Sequence, residues 1–103
     1  MELRGKQKRY LRALANGYRP VFSIGKNGLS PVWLQEVTGA LNKRELMKVN
    51  VLQNADVTTS DVKNYVEKNS NITVVQTIGR VLLLFMPSED DENQNISKDV
   101  FKM

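Results

Sequence analysis

Val81–Met86, VLLLFM, is the longest unbroken apolar run in the chain, and it follows ITVVQTI across the pair Gly79-Arg80. A run this short cannot cross a bilayer, since a spanning helix needs about 20 apolar residues, so it reads as a buried strand. Glycine at the first place of a two-residue connection suits a type II′ turn. The two runs are therefore expected to pair as an antiparallel hairpin, and whatever else the chain forms must pack against a sheet.

The remaining elements follow from periodicity. Over Leu3–Ala15, the residues Leu3, Tyr10, Leu11 and Leu14 share one side of a 3.6-residue period, with Gln7 among them, which predicts a first helix. Asn16-Gly17 supplies its C-terminal cap. Pro20–Ile24 reads as a first strand. Ser30-Pro31 places an N-cap and a first-turn proline before the apolar face of Trp33, Leu34, Val37, Ala40 and Leu41, and on this pattern Trp33 is core. Glu45–Val51 alternates Met47, Val49 and Val51 against Leu46, Lys48 and Asn50, the period of a half-buried strand. Thr58 and Asp61 have the spacing of a capping box, and Val62, Tyr65 and Val66 form the inner side of a short third helix.

The predicted class is therefore α/β: one compact domain in the order αβαβαββ, with a four-stranded sheet packed by helices. Its length of 103 residues allows one core and argues against two. The domain is set at residues 1–87. Residues 88–103, which open with the acidic SEDDENQ, hold few apolar side chains and are expected to be a flexible tail. With an apolar share of 41% and 25% charged residues the chain reads as a soluble globular protein. A basic start not followed by an apolar segment gives no export signal, so the cytoplasm is the expected location.

Charge is unevenly placed. Residues 1–87 hold 13 Lys and Arg against 6 Asp and Glu, net +7, whereas residues 88–103 hold 2 against 5, net −3. Arg4, Lys6, Lys8, Arg9 and Arg12 crowd the first helix, which has no acid after Glu2. A solvated helix face ordinarily mixes signs in i,i+4 pairs; like charges without a counter-charge repel one another and favour an anionic partner.

Catalysis finds little support. There is no histidine and no cysteine, which removes the commonest general base, the soft metal ligands and two familiar nucleophile arrangements. Glu36, Glu45, Asp56, Asp61 and Glu67 show no paired spacing. No catalytic residue, metal site or cofactor is expected. The stretch Gly25-Lys26-Asn27-Gly28 is different, because it falls at a turn from strand to helix. Glycines let backbone N–H groups approach and surround an anion, Lys26 adds a full positive charge, and the following helix N-terminus adds a partial one. The spacing is that of neither a nucleoside-triphosphate loop nor a dinucleotide fingerprint. KH domains also grip nucleic-acid backbone with Gly-x-x-Gly, but between two helices. Two glycines are also common in connections that bind nothing.

The ordered set KQKRYLRALAN, RPVFSIGKNGLS, ELMKV and VQTIGRVLLLFMP resembles the CRM family, the chloroplast RNA splicing and ribosome maturation domain, in its stand-alone bacterial YhbY-type form. The likeness covers about residues 2–87. It implies a mixed four-stranded sheet similar to the C-terminal domain of bacterial initiation factor three, and an RNA-binding protein that associates with ribosomal RNA in precursors of the large subunit. By position it assigns RNA contacts to Gly25, Lys26, Asn27 and Gly28, to Lys6, Lys8, Arg9 and Arg12, and to Arg19, which precedes the first strand. Ile78-Gly79-Arg80 matches the family's hairpin turn. Family members often have histidine where this chain has Asn16 and Arg44, and tyrosine-arginine where it has Phe85-Met86. The expectation is that the first helix, the Gly-x-x-Gly loop and the start of the second helix form one positive surface on a monomer. The competing classes are a protein–protein adaptor, a binder of another structured RNA off the ribosome, and a DNA binder, for which no base-reading module is visible.

Overall fold

The computed structural model describes residues 2–103. The order is α1 (Gly5–Leu14), β1 (Pro20–Ile24), α2 (Pro31–Arg44), β2 (Leu46–Val51), α3 (Thr59–Asn69), β3 (Thr73–Ile78) and β4 (Val81–Phe85), followed by a short 3₁₀ turn (Asp91–Asn93) and α4 (Asn95–Phe101). The four strands lie side by side as β1-β2-β4-β3. β1 runs parallel to β2, and the other two pairings are antiparallel, so the sheet is mixed. The hairpin turn has Gly79 at φ 56° while Arg80 stays at negative φ, as a type II′ turn requires and a type I′ turn does not.

The sheet is covered on both faces. On one, α2 and α3 bury Ile24, Val37, Leu41, Met47, Val49, Val62, Val66, Leu82 and Leu84. On the other, α1 and α4 close over Leu11, Leu46, Val75, Leu83, Phe85 and Val100. β4, buried from both sides, is the strand that the unbroken apolar run encodes. Strand β2 departs from simple alternation, because its first residue Leu46 is buried along with Met47, Val49 and Val51. It is sandwiched at its start and open on one face towards its end.

Helix starts follow their capping residues. Ser30 Oγ accepts the Trp33 N–H at 3.1 Å, and Thr58 and Asp61 exchange side-chain-to-backbone bonds of 3.1 and 2.9 Å. Trp33 is core-packed, and its indole N–H donates to the Ser23 carbonyl at 3.3 Å. Along α1 and its two flanks the buried stripe is Leu3, Gln7, Leu11 and Ala15, which leaves Leu14 partly exposed. Gln7 is inside for a reason: its amide oxygen accepts the Arg4 N–H at 2.8 Å and its amide nitrogen donates to the Val100 carbonyl at 3.0 Å.

The segment 88–103, expected as a flexible tail, is folded and docked. Ile96 and Val100, with Phe101, form one side of α4; Val100 is fully buried, and the Phe101 ring meets Phe85 edge-on at 6.4 Å. The rest of the anchor is Glu45. It is fully buried and sits at the C-terminus of α2 with φ 65°, a conformation that costs a side-chain-bearing residue on the order of 1 kcal/mol. One carboxylate oxygen accepts the N–H groups of Ile96 and Ser97 at 3.0 and 2.9 Å. The other accepts the Ser88 N–H at 2.7 Å and the Ser97 hydroxyl at 2.5 Å. Glu45 thus caps α4 from a position far away in sequence, taking up N–H groups that a helix start leaves unpaired. Asn42 assists, accepting the Glu89 N–H at 2.7 Å. No helix of the described residues is long and apolar enough to cross a membrane.

Candidate nucleic-acid interface

The Gly25–Gly28 stretch is a tight turn: the Gly28 N–H donates to the Gly25 carbonyl at 3.0 Å. Lys26 and Asn27 occupy its two middle places, both at negative φ and both exposed, which fits type I geometry and excludes type II. Among the described residues, no hydrogen bond occupies the backbone N–H of Lys26 or Asn27. The two glycines serve different ends. Gly28 has φ 66° with open space where a Cβ would stand, so glycine is there for its backbone conformation. Gly25 has no such φ, and an added Cβ would meet only the Leu52 Cδ1 at 3.4 Å and the Asn54 Oδ1 at 3.7 Å; glycine there leaves the backbone bare for close approach.

Gly28→Ala is expected to lower stability by about 1–2 kcal/mol, the cost of left-handed backbone for a residue with a Cβ. Gly25→Ala is expected to leave stability nearly unchanged. Thermal unfolding of the two variants checks this, and equal losses would contradict the distinction.

The helix beyond the turn offers less than a bare N-terminus would. Pro31 has no N–H and the Trp33 N–H is taken by Ser30, which leaves that of Val32 in the first turn. A cation approaches the turn from another direction. Leu52 donates its N–H to the Ile24 carbonyl at 2.8 Å and accepts Arg80 Nη1 on its own carbonyl at 3.4 Å, while its side chain lies beside Gly25. The glycine turn and the β3–β4 hairpin are thereby gathered at one end of the sheet, with Lys26 and Arg80 both exposed there. In the sequence, Arg80 stands out only as part of a family motif.

α1 lies elsewhere. It packs over β3, the edge strand opposite β1, on the face away from α2. The structure therefore separates the basic helix from the glycine turn, and the single continuous surface expected from the sequence does not form. The reason is topological: α1 and α2 cover opposite faces of the sheet. On α1, Lys6 and Arg9 are exposed and Lys8 and Arg12 half-buried at its flank. Among the described residues, none of these four side chains makes a hydrogen bond or ion pair. Arg4 instead reaches the Met103 carbonyl. The far side of α1 meets α4, where the Tyr10 hydroxyl donates to Asp99 at 3.3 Å; partial desolvation first, and then the Asp99 charge, push the Tyr10 pKa up. The acidic segment is thus docked beside the basic helix without pairing, among the described residues, with its outward cations.

Arg19 precedes β1 at its lower edge and shares a cavity of about 470 Å³ with Tyr18, Val21 and Arg44. Sequence reasoning did not place Arg44 among the RNA contacts; only its position at the end of a helix facing the start of β1 brings it to Arg19. Among the described residues no group of three or more acids could hold a metal ion.

These features, a glycine turn with exposed middle residues and basic side chains at several borders of one sheet, coincide with a match over residues 3–86 to the CRS1/YhbY (CRM) domain. The chain belongs to the CRM family. Among its relatives, the Bacillus subtilis protein named "Probable RNA-binding protein YqeI" is 40% identical over 90 residues, covering 87% of this chain and 94% of the relative. A Haemophilus influenzae protein named "RNA-binding protein" is 39% identical over 89 residues, or 86% and 90% of the two chains. The solution structure of the Staphylococcus aureus protein SAV1595 superposes with a TM-score of 0.71 at 36% identity, covering 87% of this chain and 94% of that one. The CRM match ends before α4, so the buried Glu45 anchor joins the family domain to a segment outside it.

Proposed function

We propose that this CRM protein binds structured RNA through its phosphate backbone, and that it acts as a monomer in the cytoplasm on ribosomal RNA of assembling large subunits. The observation that carries the reading is the Gly25–Gly28 turn, where two backbone N–H groups that find no partner among the described residues stand beside an exposed lysine at the end of a strand. Backbone donors in a turn beside a cation suit a phosphate oxygen. Lys6, Lys8, Arg9 and Arg12 form a second grip on the other face and Arg19 a third. The arrangement suits an RNA that passes around the sheet and not one lying along a single helix. Contacts of this kind position the backbone and carry little base information. The names of the relatives support RNA as the partner, and the absence of histidine and cysteine from the sequence argues against an enzyme.

Sedimentation of the tagged protein in native lysate, at low and high salt and with and without ribonuclease, tests the cellular half of the reading. Comigration with immature large subunits, lost on raising salt or on cutting RNA, is expected, because backbone contacts weaken steeply as counterions are restored. A protein that stays at the top of the gradient at low salt contradicts the ribosomal assignment.

A further inference from the structure

The glycine turn and α1 leave one feature without a role: the open upper part of the sheet face that α1 and α4 cover only below. There Pro20, Lys48, Leu83 and Gln76 line up across the four strands. With Tyr18, Ile78 and Val81 they border a cleft of about 280 Å³. Its walls are apolar, with Tyr18 39% and Ile78 65% exposed. Beside the Tyr18 hydroxyl, its polar groups come from Lys48 and Gln76, and no acid lines it. A β-bulge shapes it. The register of β3 shifts between Val74 and Gln76, so Val75 can point under α1 while Gln76, next in sequence, stands on the same face opposite Leu83. Bulges that re-aim a side chain are common beside functional sites.

We propose that this cleft takes an unpaired base of the bound RNA, stacked on Tyr18 and Ile78, with Gln76 bonding to the base edge and Lys48 meeting a neighbouring phosphate. The inference rests on the RNA-binding reading above and deepens it by naming what part of the RNA the sheet recognises. Size favours this occupant, since the cleft is at the lower limit of small-molecule pockets, which run from roughly 300 Å³ upwards. Charge favours it over a protein partner: the centre of a protein–protein contact is depleted in lysine, and here a lysine stands in the middle of the apolar floor. Single-stranded RNA is recognised by the means present here, a sheet face with an aromatic ring for stacking and polar groups for base edges. Position favours it too, because the face lies between the glycine turn at one end of β1 and the chain leaving α1 at the other.

The test compares binding of the full chain to a blunt RNA hairpin and to the same hairpin with a short unpaired extension. The wild type is expected to bind the extended RNA on the order of tenfold more tightly, the low end of stacking one base on an aromatic ring. Tyr18→Ala should abolish that gain without changing affinity for the blunt hairpin, and Tyr18→Phe should retain it. Lys26→Ala should weaken both RNAs alike. Equal affinity of the wild type for the two RNAs, or an undiminished gain in Tyr18→Ala, would overturn the base-binding role while leaving backbone binding intact. Failure to bind either RNA would remove the parent reading, and this inference with it.

Discussion

Glu45→Ala is expected to lower the unfolding free energy by about 3 kcal/mol and to free residues 88–103 from the domain. The substitution leaves the N–H groups of Ser88, Ile96 and Ser97 and the Ser97 hydroxyl without their acceptor in a buried place. Each such orphan costs about 1–3 kcal/mol if it stays buried. The sum of four is not reached, because α4 can lift off and hydrate them. The loss is then limited to what its docking contributes, mainly Val100 and the edge contact of Phe101 with Phe85. For a domain of this size that corresponds to a fall in Tm of more than about 10 °C. Glu45→Gln keeps the shape but sets an amide donor against backbone donors, so it should fall between alanine and wild type. Thermal unfolding together with limited proteolysis at 88–103 checks both parts. A Glu45→Ala protein with unchanged Tm and a protected C-terminus would contradict the anchor.

The second large effect is on binding. Replacing Lys8, Arg9 and Arg12 together by alanine is expected to weaken RNA affinity on the order of a hundredfold at low salt, since every phosphate left unneutralised keeps the counterion that binding would have released. Folding should survive. These side chains are exposed or half-buried at the flank of α1, and its buried stripe of Leu3, Gln7, Leu11 and Ala15 is untouched. Because the helix and the glycine turn lie on different parts of the sheet, adding Lys26→Ala should cost a further, nearly independent amount, as distant sites do. Affinity measured for the triple variant, for Lys26→Ala and for their combination gives the answer. A combination no weaker than the triple variant alone would mean that the two grips act as one.

Much of this architecture is legible in the residues. VLLLFM after Gly79-Arg80 encodes the hairpin, Ser30-Pro31 and Thr58/Asp61 mark two helix starts, and Gly25–Gly28 marks the turn, because each of these is a local rule written in neighbouring side chains. What escapes is long-range. Ile96, Val100 and Phe101 are too few to announce a packed helix when they follow an acidic stretch, and the acceptor for its first N–H groups is a glutamate some 50 residues earlier (Glu45 to Ile96). Glutamate at a left-handed position breaks the rule that would have placed glycine or asparagine there. The β3 bulge is likewise silent in sequence, yet it decides that Gln76 joins Lys48 on the open face. The basic helix is legible as an element but its side of the sheet is not, so its separation from the glycine turn comes only from the topology.

In the proposed mode of binding, a glycine turn and a basic helix hold RNA by its phosphates. This mode is tested most directly by the salt dependence of binding to one structured RNA, for the wild type and for the protein carrying Lys26→Ala with the three α1 substitutions. The expected slope of log affinity against log salt is shallower in the variant by about 0.7–0.9 for each phosphate no longer neutralised, hence by roughly three in all. A correctly folded variant with the wild-type slope would show that these residues do not touch the backbone.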